Sequence, residues 1–458
     1  MELGDWNRFD GALAAALTAW RKRTGELAAI DGPLDLERDF AARELSRSPV
    51  PESLIHEEVR HELRERASDP VARALSDWIE TFWLEDTLFD ARFELACAWG
   101  LPREVRGRSV PTSVRALRRE VVGGRHASVR ARAADEFGEW AHTIADPAQI
   151  ALDRRLDRER ALPLSCRSLA VSELAEGVAL QPTHSVTLAE RWLVATDGLA
   201  TSLNRPDWQE TLALVLASGA QEGWPVRPSS RWIRSVFARE DWTRGLQLGP
   251  IKVPTAIGAT SYARALGSFG MRVFEACRPH SLPLAVHQPP LSLRKHERRA
   301  LFASIVAEES FARRVLGLSK GKARDHRRIL AMAFLTSSRI DAWRVVVAAS
   351  ARESFSVARE RQRELSERVL GAGLSPACFA VFPMLRPGDG AAFCGMLAAV
   401  DARRTLVDRH DEDWYRNPRA LTELRDEAGL APATGCLELP ILERAASGLC
   451  AEFEDALG

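Results

Sequence analysis

Apolar residues recur at helical spacing along almost the whole chain, and that single pattern excludes most fold classes. Residues 5–30 begin at a candidate cap, Asp5, and place Trp6, Phe9, Leu13, Leu17 and Trp20 on one face. A step of three or four residues is the signature of a half-buried helix. The same spacing predicts one long or two shorter helices over 54–99 and a helix pair over 112–143. Further helices follow from 165 to 218, with breaks at Gln181-Pro182 and Arg205-Pro206. Others run from 293 to 370 and, after a Gly/Pro-rich stretch, to the end. The pattern predicts a mainly α, multi-helical protein of two lobes, an N-terminal helical region over 1–165 and a second domain over 166–458.

One segment breaks the pattern. Residues 223–260 hold Gly223, Pro225, Pro228, Gly245, Gly249, Pro250, Pro254 and Gly258 among Trp224, Trp232 and Trp242. Turn residues at that density predict loops and short strands. The piece LGPIKVPTAIG can supply at most a small edge-strand element, because its prolines cannot donate to a central ladder.

Charge narrows the function classes. Basic and acidic residues balance at 63 each, so the basic excess that nucleic-acid binding needs is missing. Seven cysteines, an odd number without a CxxC pair, do not make a disulfide framework and fit a reducing compartment. The segment MELGDWNRFDG carries acids and no long apolar run, unlike a secretory signal. No uncharged apolar stretch is long enough to span a membrane. A cytoplasmic location is the expectation.

Residues 262–277 make a sharper prediction. Tyr262, Leu266, Phe269, Gly270, Val273, Phe274 and Cys277 fall on one helical stripe. Gly267 and Gly270 interrupt its middle. Each costs about 1 kcal/mol relative to alanine in a helix interior, and close approach of another element is the simplest compensation. A second helix is expected over 297–316, with Leu301, Ile305, Ala312 and Val315 inside. Glu308 falls on that inner face and Glu309 about 100° away. A carboxylate so placed needs a partner. An arginine is the plain expectation, a metal the sharper one.

Taken with their surroundings, these helices resemble the thimet oligopeptidase and oligoendopeptidase F family of zinc metallopeptidases. In that family one helix carries HExGH, whose histidines bind zinc and whose glutamate activates water, and a following helix gives a third ligand. The Pro/Gly-rich lead-in, the glycine-bearing helix and the acidic helix occur here in that order. Residues 411–429, DEDWYRNPRALTELRDEAG, are similar to a late family segment. Asn417 reads as a cap, Pro418 as the first helical residue, Leu421 and Leu424 as the inner face, and Gly429 as the stop. The resemblance implies a zincin-like fold.

Laid over HExGH, positions 267–271 read Gly267, Ser268, Phe269, Gly270 and Met271. The family glycine survives at Gly270. Gly267 and Met271 replace the histidines, Ser268 replaces the general base, Glu308 matches the third ligand, and Phe393 stands where active members carry a tyrosine. A catalytic zinc needs three protein ligands and an open position, so neither metal nor cofactor is expected. The string HEEVRHE at 56–62 does not rebuild the site. His56 and His61 are five apart, about 140° around a helix where HExxH needs about 40°, and the segment reads as a solvated face. His280, His287 and His296 form a loose proline-rich grouping. Neither a GxSxG elbow nor a GxxxxGK[ST] loop occurs.

The expectation is therefore an inactive metallopeptidase-like protein that binds a peptide or protein, with an active peptidase paralogue as one candidate partner. Two rival readings stay open. One is an enzyme of another class using Glu308, Arg339, Arg344 and Cys394. The other is an unrelated all-helical structural protein.

Overall fold

The helix Trp6–Ala28 uses the expected stripe directly. Phe9, Leu13 and Leu17 are buried in one core with Leu54, Leu63, Leu75, Ile79 and Phe82, and Trp20 packs on Phe89 with ring centroids 6.3 Å apart. The computed structural model describes residues 6–29, 44–66, 68–104, 109–161, 182–201, 203, 207–226, 229–237, 243, 245–246, 248, 258–279, 281, 283–290, 292–374, 388–429 and 439–458. The Asp5 cap lies outside them.

The chain divides into two units. One is built from the described parts of 1–169 together with 280–290. The other comes from the described parts of 170–279, 291–374 and 386–458. In the first unit, the stretch expected as one or two helices over 54–99 splits into Glu52–Ile55, Glu57–Glu65, Pro70–Thr87 and Phe89–Gly100. The break before Pro70 is chemically specified. Asp69 caps the helix by accepting from the Val71 amide at 2.8 Å, and proline fills the first helical position, where no amide donor is missed. The pair over 112–143 appears as Val114–Gly123 and Ala127–Ala161.

One expectation falls outside the described residues and one is corrected here. Among the described residues the sheet is an antiparallel pair of two-residue strands, Pro102–Arg103 and Thr112–Ser113, and the small β element expected near 223–260 falls largely outside them. Of LGPIKVPTAIG only Leu248 and Gly258 are described. The HEEVRHE segment is only partly a solvated face. His56 and His61 are exposed, but Arg60 is 5% exposed, bonds Glu80 through Nε at 3.0 Å and Nη2 at 2.7 Å, and lies over the Trp83 ring. The arginine turns inward to share with Arg64 the charge of Glu80, itself 0% exposed.

The second unit is organised around a three-helix stack. The helix Leu293–Ser304 lies between Ala259–Cys277 on one side and Asp389–His410 on the other. Their shared core holds Leu266, Phe269, Leu301, Phe302, Ile305, Phe311, Trp414 and Leu421. Glycines set the separations. A β-carbon at Gly395 would stand 2.6 Å from His296 Cβ and 2.9 Å from the Glu297 amide nitrogen, so the 389–410 and 293–304 helices touch through bare backbone. Among the described residues no helix is long and apolar enough to cross a membrane.

Candidate functional site

The stripe predicted on 262–277 is the buried face of the Ala259–Cys277 helix. Tyr262, Leu266, Phe269, Gly270 and Val273 are buried, whereas Phe274 and Cys277 are half-buried. Gly267 and Gly270 turn toward the 293–304 helix. A β-carbon on Gly267 would stand 2.7 Å from the Arg299 carbonyl oxygen, 3.2 Å from Arg299 Cγ and 3.3 Å from Ala303 Cβ. On Gly270 it would fall within the Phe302 side chain. The expected close approach is thus present, and it offsets the helix cost of both glycines. Phe302 is fixed in turn by Phe237, Phe269 and Trp414, at centroid distances of 5.6, 6.4 and 6.0 Å.

Ser268 and Met271 are half-buried on the same helix. Neither, nor Gly267, offers a donor suited to zinc, because a serine hydroxyl stays protonated at neutral pH and a thioether is a soft ligand. The side chain directly opposite Gly267 is Arg299, a cation. Around this place are also Arg264, one turn before Ser268, and Asp341 on the Lys320–Glu353 helix, which accepts from Arg344 Nη1 at 2.6 Å. The protein packed around Arg264, then the like charge of Arg299, lower its affinity for its proton, against the pull of Asp341. Among the described residues no three His, Cys, Asp or Glu side chains gather as a metal group. The residues at the motif's place do not fit a zinc ion.

Glu308 is elsewhere than its expected stripe. The predicted 297–316 helix breaks. Its first part ends at Ser304, residues Ile305–Ala307 tighten to a 3-10 turn, and Glu308 is extended at φ −69° and ψ 134° before Glu309–Arg314 begins. Glu308 then caps the next turn, its carbonyl accepting from the Ala312 amide at 3.1 Å. Its carboxylate accepts from Arg403 Nη1 at 3.0 Å, and Arg403 also pairs with Glu452. This is the arginine partner that burial demanded. Burial pushes the Glu308 carboxyl above its ordinary range, and Arg403 opposes the shift.

The late segment supplies the other wall of this network. Trp414 and Tyr415 are fully buried in a 3-10 turn. The Tyr415 hydroxyl is 3.4 Å from Ser310 Oγ. As the sequence predicted, Asn417 caps the Pro418–Gly429 helix through its side chain to the Arg419 amide at 3.0 Å, and Leu421 and Leu424 are buried. Sequence reasoning placed Phe393 at the tyrosine position. It is 0% exposed on the 389–410 helix and carries no hydroxyl to present. The tyrosine that does approach Glu308 electrostatically is Tyr415.

The rival candidates are occupied structurally. Arg339 is 1% exposed and is held by Leu193 O, Thr196 Oγ1, Asp197 and Arg368 O, all within 3.0 Å. Cys394 is buried, and burial pushes its thiol to about 12. His326 is 3% exposed with Nε2 3.1 Å from Val306 O, and burial lowers its pKa. His280 lies outside the described residues, and His287 and His296 belong to different units.

Sequence reasoning missed Arg264 and Arg299. The signal was present, since a residue facing a helix-interior glycine has privileged access to that backbone. Which residue of the second helix would face it depended on register, which one sequence does not specify.

No family model matches the chain, and no curated protein matches it. The fold is mainly α and is shared with a solved carboxypeptidase. The likeness is to the Pyrococcus furiosus carboxypeptidase in its apo-Mg structure, with a TM-score of 0.53 at 11% identity over 100% of both chains. The Bacillus protein BsuCP aligns with a TM-score of 0.46 at 11% identity, over 98% of this chain and 99% of that one. The mainly α, multi-helical fold expected from the sequence is therefore present, and the solved likeness is to a carboxypeptidase.

Proposed function

We propose that this protein is a catalytically inactive metallopeptidase, a degenerate relative of the oligoendopeptidase F type, that binds a peptide or protein in the cytoplasm. The observation that carries the reading is Gly267 packed on Arg299. At the position of the first histidine there is no side chain and no room for one, because the Arg299 backbone and stem and the Ala303 methyl stand against it. Ser268 and Met271 supply neither base nor zinc donor. The DEDWYRNP turn and its capped helix, on which the sequence resemblance rests, form an ordered, buried element. Retained framework with lost chemistry favours binding over hydrolysis, and an active peptidase paralogue is a natural partner.

The test combines three measurements on the purified protein. Metal analysis should find no stoichiometric zinc. A peptide panel should show no hydrolysis with added zinc that a chelator abolishes. Titration calorimetry with the same panel, or a pulldown with a paralogue, should give a saturable complex. Zinc-restored hydrolysis would end the reading, and the absence of any peptide or protein ligand would remove its binding half.

A further inference from the structure

The two helices that meet at Gly267 and Arg299 are joined in the chain by residues 278–292. That connector carries Pro279, Pro283, Pro289 and Pro290. Proline fixes its own φ and restrains the residue before it, so the connector is stiffer than a Gly/Ser loop. Its middle, residues 283–290, does not belong to the unit of the two helices. It is part of the unit built from the described parts of 1–169.

Specific contacts anchor it there. The Asp10 carboxylate accepts from the Leu284 amide through both oxygens, at 2.6 and 2.7 Å. The Trp78 indole Nε1 donates to the Gln288 carbonyl at 2.7 Å, and Arg21 Nη2 donates to the Gln288 side-chain oxygen at 3.0 Å. Ala285 is 0% exposed in the core that holds Phe9, Leu13, Leu75, Ile79 and Phe82. The short helix Leu284–His287 thus packs on both Trp6–Ala28 and Pro70–Thr87. The bond from Leu284 is charge-assisted, and such bonds are roughly twice as strong as neutral ones.

Outside this anchor the connector runs straight into the helix pair. Cys277 ends one helix and Leu293 begins the other. The pair has no slack of its own, since a β-carbon at Gly267 would stand 2.7 Å from the Arg299 carbonyl oxygen. Close-packed interiors transmit a displacement and do not absorb it.

We propose that residues 283–290 are a strap by which the N-terminal unit controls the packing of the 259–277 and 293–304 helices. Held by Asp10 and Trp78, the strap keeps the helix pair closed. A ligand or partner that shifts the 6–28 or the 70–87 helix loosens the anchor and opens the pair at Gly267 and Arg299. Such coupling is reciprocal, so opening the pair weakens the anchor by the same free energy. It holds whether or not residues 267–271 descend from a zinc motif.

Hydrogen exchange of the full chain, read by mass spectrometry, tests it. Asp10→Ala should speed exchange about threefold or more at 284–288 and also at 264–272 and 296–304. Asp10→Asn, which keeps one acceptor oxygen, serves if the alanine variant does not fold, with a smaller effect in the same places. Thr24→Ala, on an exposed residue of the same helix, should change none of these segments. Short Gly-Ser insertions after Pro279 and after Pro290 slacken both ends of the strap. In that background Asp10→Ala should still loosen 284–288 and no longer reach the helix pair. The proposal is overturned if Asp10→Ala leaves 284–288 as protected as in the parent, if it loosens them without affecting the pair, or if it affects the pair equally in the slack chain. Zinc-restored hydrolysis would sink the pseudoenzyme reading and leave this coupling standing.

Discussion

Gly267 and Arg299 meet so closely that the β-carbon of any other residue at 267 would stand 2.7 Å from the Arg299 carbonyl oxygen. The obstacle is backbone and cannot swing away as a side-chain tip can. Restoring a zinc motif by Gly267→His, Ser268→Glu and Met271→His should therefore fail structurally before it can succeed chemically. Overpacking of this kind typically costs about 1–3 kcal/mol. The triple variant should unfold at lower denaturant and retain no stoichiometric zinc after dialysis. Tight zinc binding with parental stability would show that the helix pair opens freely.

Gly270 answers to a different neighbour. Its missing side chain makes room for Phe302, which is wedged among Phe237, Phe269 and Trp414. Alanine would gain about 1 kcal/mol of helix propensity, but the overlap with a fixed ring outweighs it. Gly270→Ala should be destabilising, whereas alanine at the unencumbered Gly321 should not. Adding Phe302→Leu should recover part of the loss, a non-additive pair in a double-mutant cycle. Simple additivity would mean the ring is not the obstacle.

Much of this was legible in the sequence where local chemistry acts alone. The glycine interruption announced a close helix approach, and the Asn417-Pro418 start and Gly429 stop of the late helix follow from capping rules that need no tertiary information. What the spacing did not reveal were effects of the rest of the fold. Glu308 lies on a helical stripe by count, yet the helix ends at Ser304 because Glu308 is extended and drawn to Arg403 on a helix almost a hundred residues later. Arg60 reads as a solvated residue among histidines and glutamates until Glu80, twenty residues on, takes it inward. That Arg299 faces Gly267 is set by helix register. Long-range pairing, not local preference, decides each of these.

The Glu308–Arg403–Glu452 chain gives an asymmetric pair of outcomes. Arg403 serves two carboxylates, so removing it strands both, whereas removing the Glu308 charge leaves Arg403 paired with Glu452. Arg403→Met should cost more than Glu308→Gln. The loss should stay below about 3 kcal/mol, the lower edge for fully buried pairs, since Arg403 and Glu308 are 17% and 15% exposed and so partly screened. Urea unfolding of both variants checks the order, and a larger cost for Glu308→Gln would contradict it.

In the other unit, Glu80 is the stricter case. Its side chain is 1% exposed and accepts from Arg60 and Arg64, each through Nε and Nη2. Glu80→Gln keeps the shape but leaves Arg60, 5% exposed, without its buried counter-charge. Breaking a buried pair from one side costs about 3–5 kcal/mol, so this variant should lose more stability than any single change at Glu308. Differential scanning calorimetry would register it as a clear drop in the transition of this unit, and parental melting would refute the assignment.

Asp77, one turn before Glu80, sets a pH dependence. Burial raises its carboxyl to about 7 from 3.8, the Glu80 charge adds to the rise, and Arg73 opposes it. The folded state thus binds a proton that the unfolded chain has already released. Stability from this group is fully present below about pH 4 and is lost as pH rises through about 7. Asp77→Asn cannot titrate, and it retains the neutral form that the buried position prefers. Urea midpoints measured from pH 4 to pH 8 should therefore fall less for the variant than for the parent. The difference between them should widen between pH 4 and 7 and then level off. Parallel curves across that range would show that Asp77 is ionised in the folded protein, and with it the claim that burial dominates at this position would fall.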